Sequence, residues 1–174
     1  MLVILLYQLI IQAPNRPVSA GRMNISDVIT PSRIEVRLSV SSKDELLHYI
    51  PEILNRNGDV LDLEDVRRVI LHREQLMSTG IGHGIAFPHG KTNAVVSTTA
   101  ALVTLQDPID YDSIDGEPVQ LAVLLVGKED QVSSHLKLLS KVSRVVASDW
   151  FRHEALQAST PEEVYALLVR ADTM

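Results

Sequence analysis

The sequence predicts an α/β fold, a single domain whose mixed β-sheet is flanked by helices on both faces. Two runs carry the sheet: TAALVTL at 99–105 and VQLAVLLVG at 119–127 are continuously apolar and rich in Val and Leu, the pattern of strands buried on both sides. Segments with helical apolar spacing lie before and after these runs, so helices are available to cover both faces. The chain has 174 residues, 45% hydrophobic and 22% charged, which suits one packed core rather than two.

Taken from the N-terminus, MLVILLYQLII at 1–11 is apolar but shorter than the about 20 residues a membrane span requires. It resembles a signal-peptide core followed by Val18-Ser19-Ala20, yet no Lys or Arg precedes it, and export signals carry a positive start. Residues 12–22, QAPNRPVSAGR, read as a polar spacer, and Met23 opens domain-like patterning. Residues 1–22 are therefore expected to lie outside the fold, with the domain over 23–170 and a short tail at 171–174. Ile25, Val28 and Ile29 form a short apolar set ended by Pro31, and Ile34–Leu38 alternates with period two as a half-buried strand. Ser41 or Ser42 can cap a helix whose apolar face is Leu46, Leu47, Ile50, Ile53 and Leu54, stopped by Asn57-Gly58. Asp62 is the N-cap of a second helix, with Asp65 at the capping-box position and Leu63, Val66, Val69 and Ile70 inward. Between the two apolar strands, DPIDYDSIDGEP is a turn-rich connection. SSHLKLLSKVSRVVAS gives a long amphipathic helix, and Thr160-Pro161-Glu162-Glu163 starts the last helix with cap, N1 proline and acidic first turn in order.

Composition excludes several functions. Net charge is −6 and the pI about 5.4, with no basic run, which disfavours nucleic acid as a partner. The absence of Cys removes disulfides, thiolate nucleophiles and Cys-ligated zinc together. Chemistry concentrates instead in STGIGHGIAFPHGKT, residues 78–92, which holds two of the six histidines among four glycines and one proline. The spacing of Gly80, Gly82 and Gly84 fits neither a dinucleotide fingerprint nor a Lys-containing phosphate loop. His83 and His89, six apart, have no established metal-ligand spacing. What remains is chemistry by one histidine. A neutral imidazole is nucleophilic and can carry a covalent group when an acceptor such as a loop carbonyl holds its second nitrogen in one tautomer.

RExxxSTGIGxGIAxPHGK, over residues 73–91, resembles the phosphorylation-site signature of the enzyme IIA proteins of the phosphoenolpyruvate-dependent sugar phosphotransferase system. The likeness is to the fructose/mannitol class, especially its nitrogen-regulatory branch. MNISDVITPSRIEVRL resembles that family's opening, residues 108–148 its second half, and Pro161–Tyr165 its close, so coverage runs from about Met23 to Leu168. The resemblance implies the family's mannitol/fructose IIA fold and a phosphotransferase role without cofactor or metal. The phosphoryl group is accepted on His89 from the system's small histidine phosphocarrier protein. His135 and Arg73 fall on the family's second histidine and site arginine. Ser133 and Ser134 stand before His135 as cap candidates.

Phosphoryl transfer between histidines passes through a loose, highly charged transition state that needs in-line positioning and donors to its oxygens. Arg73 can supply a bidentate fork and a protonated His135 a donor. Ser78, Thr79 and the backbone at Gly80, Gly82 and Gly84 can add hydroxyl and N–H donors. His83 stands where the family often has a polar amide, and Phe87 where an aliphatic is common. His48, His72 and His153, in helical stretches, read as surface residues. The implied partners beyond the donor are regulatory targets, or a separate IIB component if the protein serves transport. The implied location is the cytoplasm, with no stable membrane insertion. A binding module that has lost phosphotransfer is the third expectation.

Overall fold

The structure, a computed structural model, describes residues 24–174, so the expectations for 1–22 and for a start at Met23 lie outside the described residues. The sheet is built on β5 (Thr99–Ile109) and β6 (Val119–Gly127), an antiparallel pair in which Ala100 faces Leu125 and Leu102 faces Val123. Both strands are almost entirely buried, as their continuous apolar runs require. β1 (Ile34–Leu38) lies parallel to β5 at one edge. β5 runs four residues past the expected end because Gln106, Asp107 and Pro108 continue it as an exposed extension.

Helices cover both faces. α1 (Lys43–Leu54) begins at Ser42, whose hydroxyl accepts the Glu45 amide. α2 (Leu63–Leu76) begins at Asp62, whose carboxylate accepts the Asp65 amide. Both place their apolar stripes, led by Leu46, Ile50, Val66 and Ile70, on the face carrying Ala101, Val103 and Leu124. Asp65 does not complete a capping box; its carboxylate bonds Thr92 and Arg68 instead. The opposite face, with Leu102, Val123 and Leu125, is covered by α3 (Val132–Val146), α4 (Asp149–Gln157) and α5 (Pro161–Thr173). Ser133 and Ser134 lie inside the first turn of α3 and do not cap it, since Gln131 holds the N-cap position. α5 runs through the stretch expected as a tail: Asp172 accepts the amides of Ile25 and Ser26, each at 2.9 Å, and ties the helix to the start of the domain.

The glycine-rich segment is not an open loop. It supplies β2 (Gly80–Gly82), β3 (Ile85–Ala86) and β4 (His89–Lys91). β2 and β3 form a hairpin whose two turn residues, His83 and Gly84, both have positive φ, 56° and 74°. A two-residue turn matched to strand twist demands that conformation, which Asn, Asp and Gly adopt readily and His tolerates. β3 and then β4 run parallel to β6 along one edge, with Ile85 beside Leu121 and His89 beside Leu125. That edge positions the site.

Candidate functional site

His89 is anchored by its backbone. β4 pairs with β6, and the Leu125 amide donates to the Pro88 carbonyl at 3.1 Å. The side-chain Nδ1 lies 2.9 Å from the Phe87 carbonyl oxygen. A carbonyl only accepts, so Nδ1 carries the proton and Nε2 keeps a free lone pair. Burial pushes His89 below its ordinary basicity; the Phe87 carbonyl opposes this, Arg73 adds to it and Glu74 counters it. The ring is therefore neutral near pH 7, the nucleophilic form.

His135 reaches the site from α3 because β6 ends in Gly127 and the chain turns back into that helix. A Cβ at Gly127 would come within 2.3 Å of His135 Nδ1, so only glycine lets the ring settle against the strand. His135 is 4% exposed. Burial, then the charges of His89 and Lys91, push its pKa down to about 4. In the unphosphorylated protein His135 is thus neutral. Among the described residues its buried Nδ1 has no hydrogen-bond partner, which favours the tautomer with its proton on Nε2, still a donor.

Arg73 comes from the last turn of α2. Gly90 permits the close approach of that helix, since a Cβ there would lie 3.0 Å from Val69 Cγ2. One Arg73 nitrogen donates to the Met77 carbonyl at 2.9 Å. His89, His135 and Arg73 then line one cleft of about 390 Å³, together with Arg68, His72 and Lys91. These last three were missed as site residues. The signal was present: Arg68 and His72 are one helical turn apart, and Lys91 is two residues past His89 on a strand, which returns it to the same face. His72 is exposed, as the sequence implies, but at the mouth of the cleft. His48 and His153 are exposed and stand apart from it.

The predicted phosphoryl donors Ser78, Thr79, Gly80, Gly82 and Gly84 do not line this cleft. Ser78 donates to the Tyr111 carbonyl at 3.0 Å, and Thr79, 3% exposed, donates its hydroxyl to Glu74. Added Cβ atoms at Gly80 and Gly82 would meet Ser113 and Asp115 at 2.6 and 2.8 Å. These residues shape the hairpin against the β5–β6 connection. Phe87 is buried, with its ring 6.3 Å from that of His89. Among the described residues no group of three His, Asp or Glu side chains converges as a metal site.

The neutral, buried His135 has a consequence for stability. The unfolded chain binds its proton near 6.5 while the folded protein resists it until about 4. Stability is unaffected above the unfolded value and falls as pH drops through this window, by about 2 kcal/mol at pH 5. Urea unfolding at pH 7.5 and pH 5 is expected to show this loss in the unmodified protein and to show it reduced by about that amount in His135→Gln.

Comparison with known proteins accounts for this arrangement. Residues 27–171 match the family described as phosphoenolpyruvate-dependent sugar phosphotransferase system, EIIA 2. The chain is 31% identical over 147 residues to the nitrogen regulatory protein of Pseudomonas aeruginosa, covering 84% of this chain and 96% of that one. It is 29% identical over 150 residues to the fructose-specific EIIABC component of Bacillus subtilis, covering 86% of this chain but only 24% of that longer protein. The crystal structure of nitrogen regulatory protein IIA-Ntr from Neisseria meningitidis matches with TM-score 0.77 at 33% identity, covering 83% of this chain and 98% of that one. With the family matched over nearly all the described residues, the same fold in a 33% identical structure and the signature histidine in a cation-lined cleft, the chain belongs to the EIIA type 2 family of the phosphotransferase system, close to its nitrogen regulatory members.

Proposed function

We propose that the protein is a phosphoryl carrier whose acceptor is Nε2 of His89, charged by the small histidine phosphocarrier protein of the system. The observation that carries this reading is the bond from His89 Nδ1 to the Phe87 carbonyl, which leaves Nε2 as the free nucleophile beside a cation-lined cleft. In the step, the Nε2 lone pair forms a bond to phosphorus as the donor's P–N bond breaks, and that electron pair returns to the donor imidazole. The His89 ring becomes an imidazolium, stabilised through its Nδ1–H by the Phe87 carbonyl. Arg73 and Lys91 offset the phosphoryl charge, and His135 donates to an oxygen. Val69, Leu136 and Leu139 give the cleft an apolar wall, which limits hydrolysis of the phosphohistidine by water. Ser78, Thr79 and the three glycines serve by holding the hairpin in shape rather than by touching the phosphoryl group.

The nitrogen regulatory relatives, matched over nearly their whole lengths, support a regulatory role in which phosphorylation state selects the target protein. The EIIABC relative supports a second reading, a transport IIA that passes the group to a separate IIB component. Both place the protein in the cytoplasm with its donor, and among the described residues no helix is long and apolar enough to cross a membrane. Incubation with phosphoenolpyruvate, enzyme I and the histidine phosphocarrier tests the common part. The expected product carries one phosphoryl group per chain, labile in acid and persistent in base, because protonation of nitrogen cleaves a P–N bond. No label would leave a binding module, and label stable in acid but lost in base would indicate an acyl phosphate. Subsequent transfer to an added IIB component would decide for transport.

A further inference from the structure

Glu74 is a buried carboxylate, 7% exposed, that phosphoryl transfer as drawn does not use. It follows Arg73 directly in the last turn of α2. Its oxygens accept the Thr79 amide at 3.0 and 3.1 Å and the Thr79 hydroxyl. Lys43 Nζ pairs with it at 2.8 Å, and the Tyr111 hydroxyl donates at 3.5 Å. Burial alone would lower Lys43, but Glu74 and Asp112 more than offset this and keep it charged. Tyr111 stays protonated, held above its ordinary range by burial and by Glu74. Groups from α1, α2, the start of the hairpin and the β5–β6 connection thus converge on one carboxylate.

The bonds do not stop at Thr79. Its carbonyl accepts the Phe87 amide at 2.9 Å, and the Phe87 carbonyl accepts His89 Nδ1–H at 2.9 Å. We propose that Glu74 is a positioning residue for His89: by pinning Thr79 it sets the Phe87 peptide, and that peptide fixes the tautomer and aim of the imidazole. The consequence for transfer rests on His89 being the acceptor. A staple needed only for folding has no requirement for charge, since buried ion pairs are often replaced by apolar groups at little cost. Here the charge also acts on the site. Of the groups in the cleft beside His89, Arg68, His72 and Arg73 on α2, His135 on α3 and Lys91 on β4 are neutral or cationic, and Glu74 is the anion that counters Arg73.

The test uses the full chain with ¹⁵N-labelled histidine. The His89 tautomer is read by NMR at pH 7.5, and initial phosphoryl uptake is measured against donor concentration. In the unmodified protein His89 is expected as the Nδ1–H tautomer alone. Glu74→Gln should convert it to a mixture and lower the maximal uptake rate about tenfold, the low end for losing the partner that orients a working histidine. The half-saturating donor concentration should stay unchanged, because Glu74 lies beneath the site rather than on a docking surface. Thr79→Val, which deletes one hydroxyl, should shift the tautomer less and in the same direction, and it carries the test if Glu74→Gln does not fold. A pure Nδ1–H tautomer in the folded variant would overturn the proposal and leave His89 as acceptor untouched. A shifted tautomer in a protein whose His89 never takes label would uphold the positioning contact and refute the acceptor assignment instead.

Discussion

His89→Ala is expected to take up no phosphoryl group from the histidine phosphocarrier while remaining folded. β4 is held to β6 by main-chain pairing, and the imidazole adds only its one bond to Phe87, so the cost to stability should stay near 1 kcal/mol, the net value of a single hydrogen bond. The effect on transfer is expected to be total, because the other imidazoles of the cleft are not held as His89 is: His72 is exposed at its mouth, with no strand or carbonyl contact among the described residues like that of His89 to aim it. Arg73 and Lys91 are cations. His135 has its Nδ1 packed against Gly127 and its proton on Nε2, so it presents no free lone pair to the cleft. Label persisting at the unmodified level in His89→Ala, with the thermal transition intact, would move the acceptor elsewhere.

His135→Ala should still become labelled, with transfer slowed about 10² to 10³-fold, the scale for removing one donor aimed at transition-state charge. The expected role is that of a neutral donor that gains basicity when a phosphoryl dianion arrives, since a nearby opposite charge favours the protonated ring. Removing it also removes a buried polar atom that has no partner among the described residues, so the variant should not be strongly destabilised above pH 6.5. Single-turnover uptake decides the matter. A rate within twofold of the unmodified protein would reduce His135 to packing, and label mapped onto His135 in the unmodified protein would exchange the two roles.

Much of this was legible in the residues. Ser42, Asp62 and Thr160 cap as their positions imply, and the two apolar runs are the central strands, because caps and continuous burial are local signals. β2, β3 and β4 were not legible. Each is two or three residues long, and what makes them strands is pairing between β2 and β3 and of β3 and β4 with β6, whose paired residues lie 36 positions further along the chain. The surroundings of the expected hydroxyl and glycine donors were hidden for the same reason: sequence shows that Thr79 and Gly82 are near His89 in the chain, but not that they face Glu74 and Asp115. His135, Arg73 and His89 line one cleft, a juxtaposition of three separate elements that the chain order alone does not display. The neutrality of His135 depends on burial against Gly127, a packing fact that spacing does not carry. Glu74 stands beside Arg73 in the signature, yet only the fold shows it buried and joined through Thr79 and Phe87 to the imidazole.

The most direct measurement is the ¹H–¹⁵N–³¹P correlation spectrum of the protein after incubation with phosphoenolpyruvate, enzyme I and the histidine phosphocarrier. The account predicts a single phosphorus coupled to Nε2 of His89, with Nδ1 still protonated and bonded to Phe87. Phosphorus on Nδ1 of His89, on His135 or on a carboxylate would contradict it.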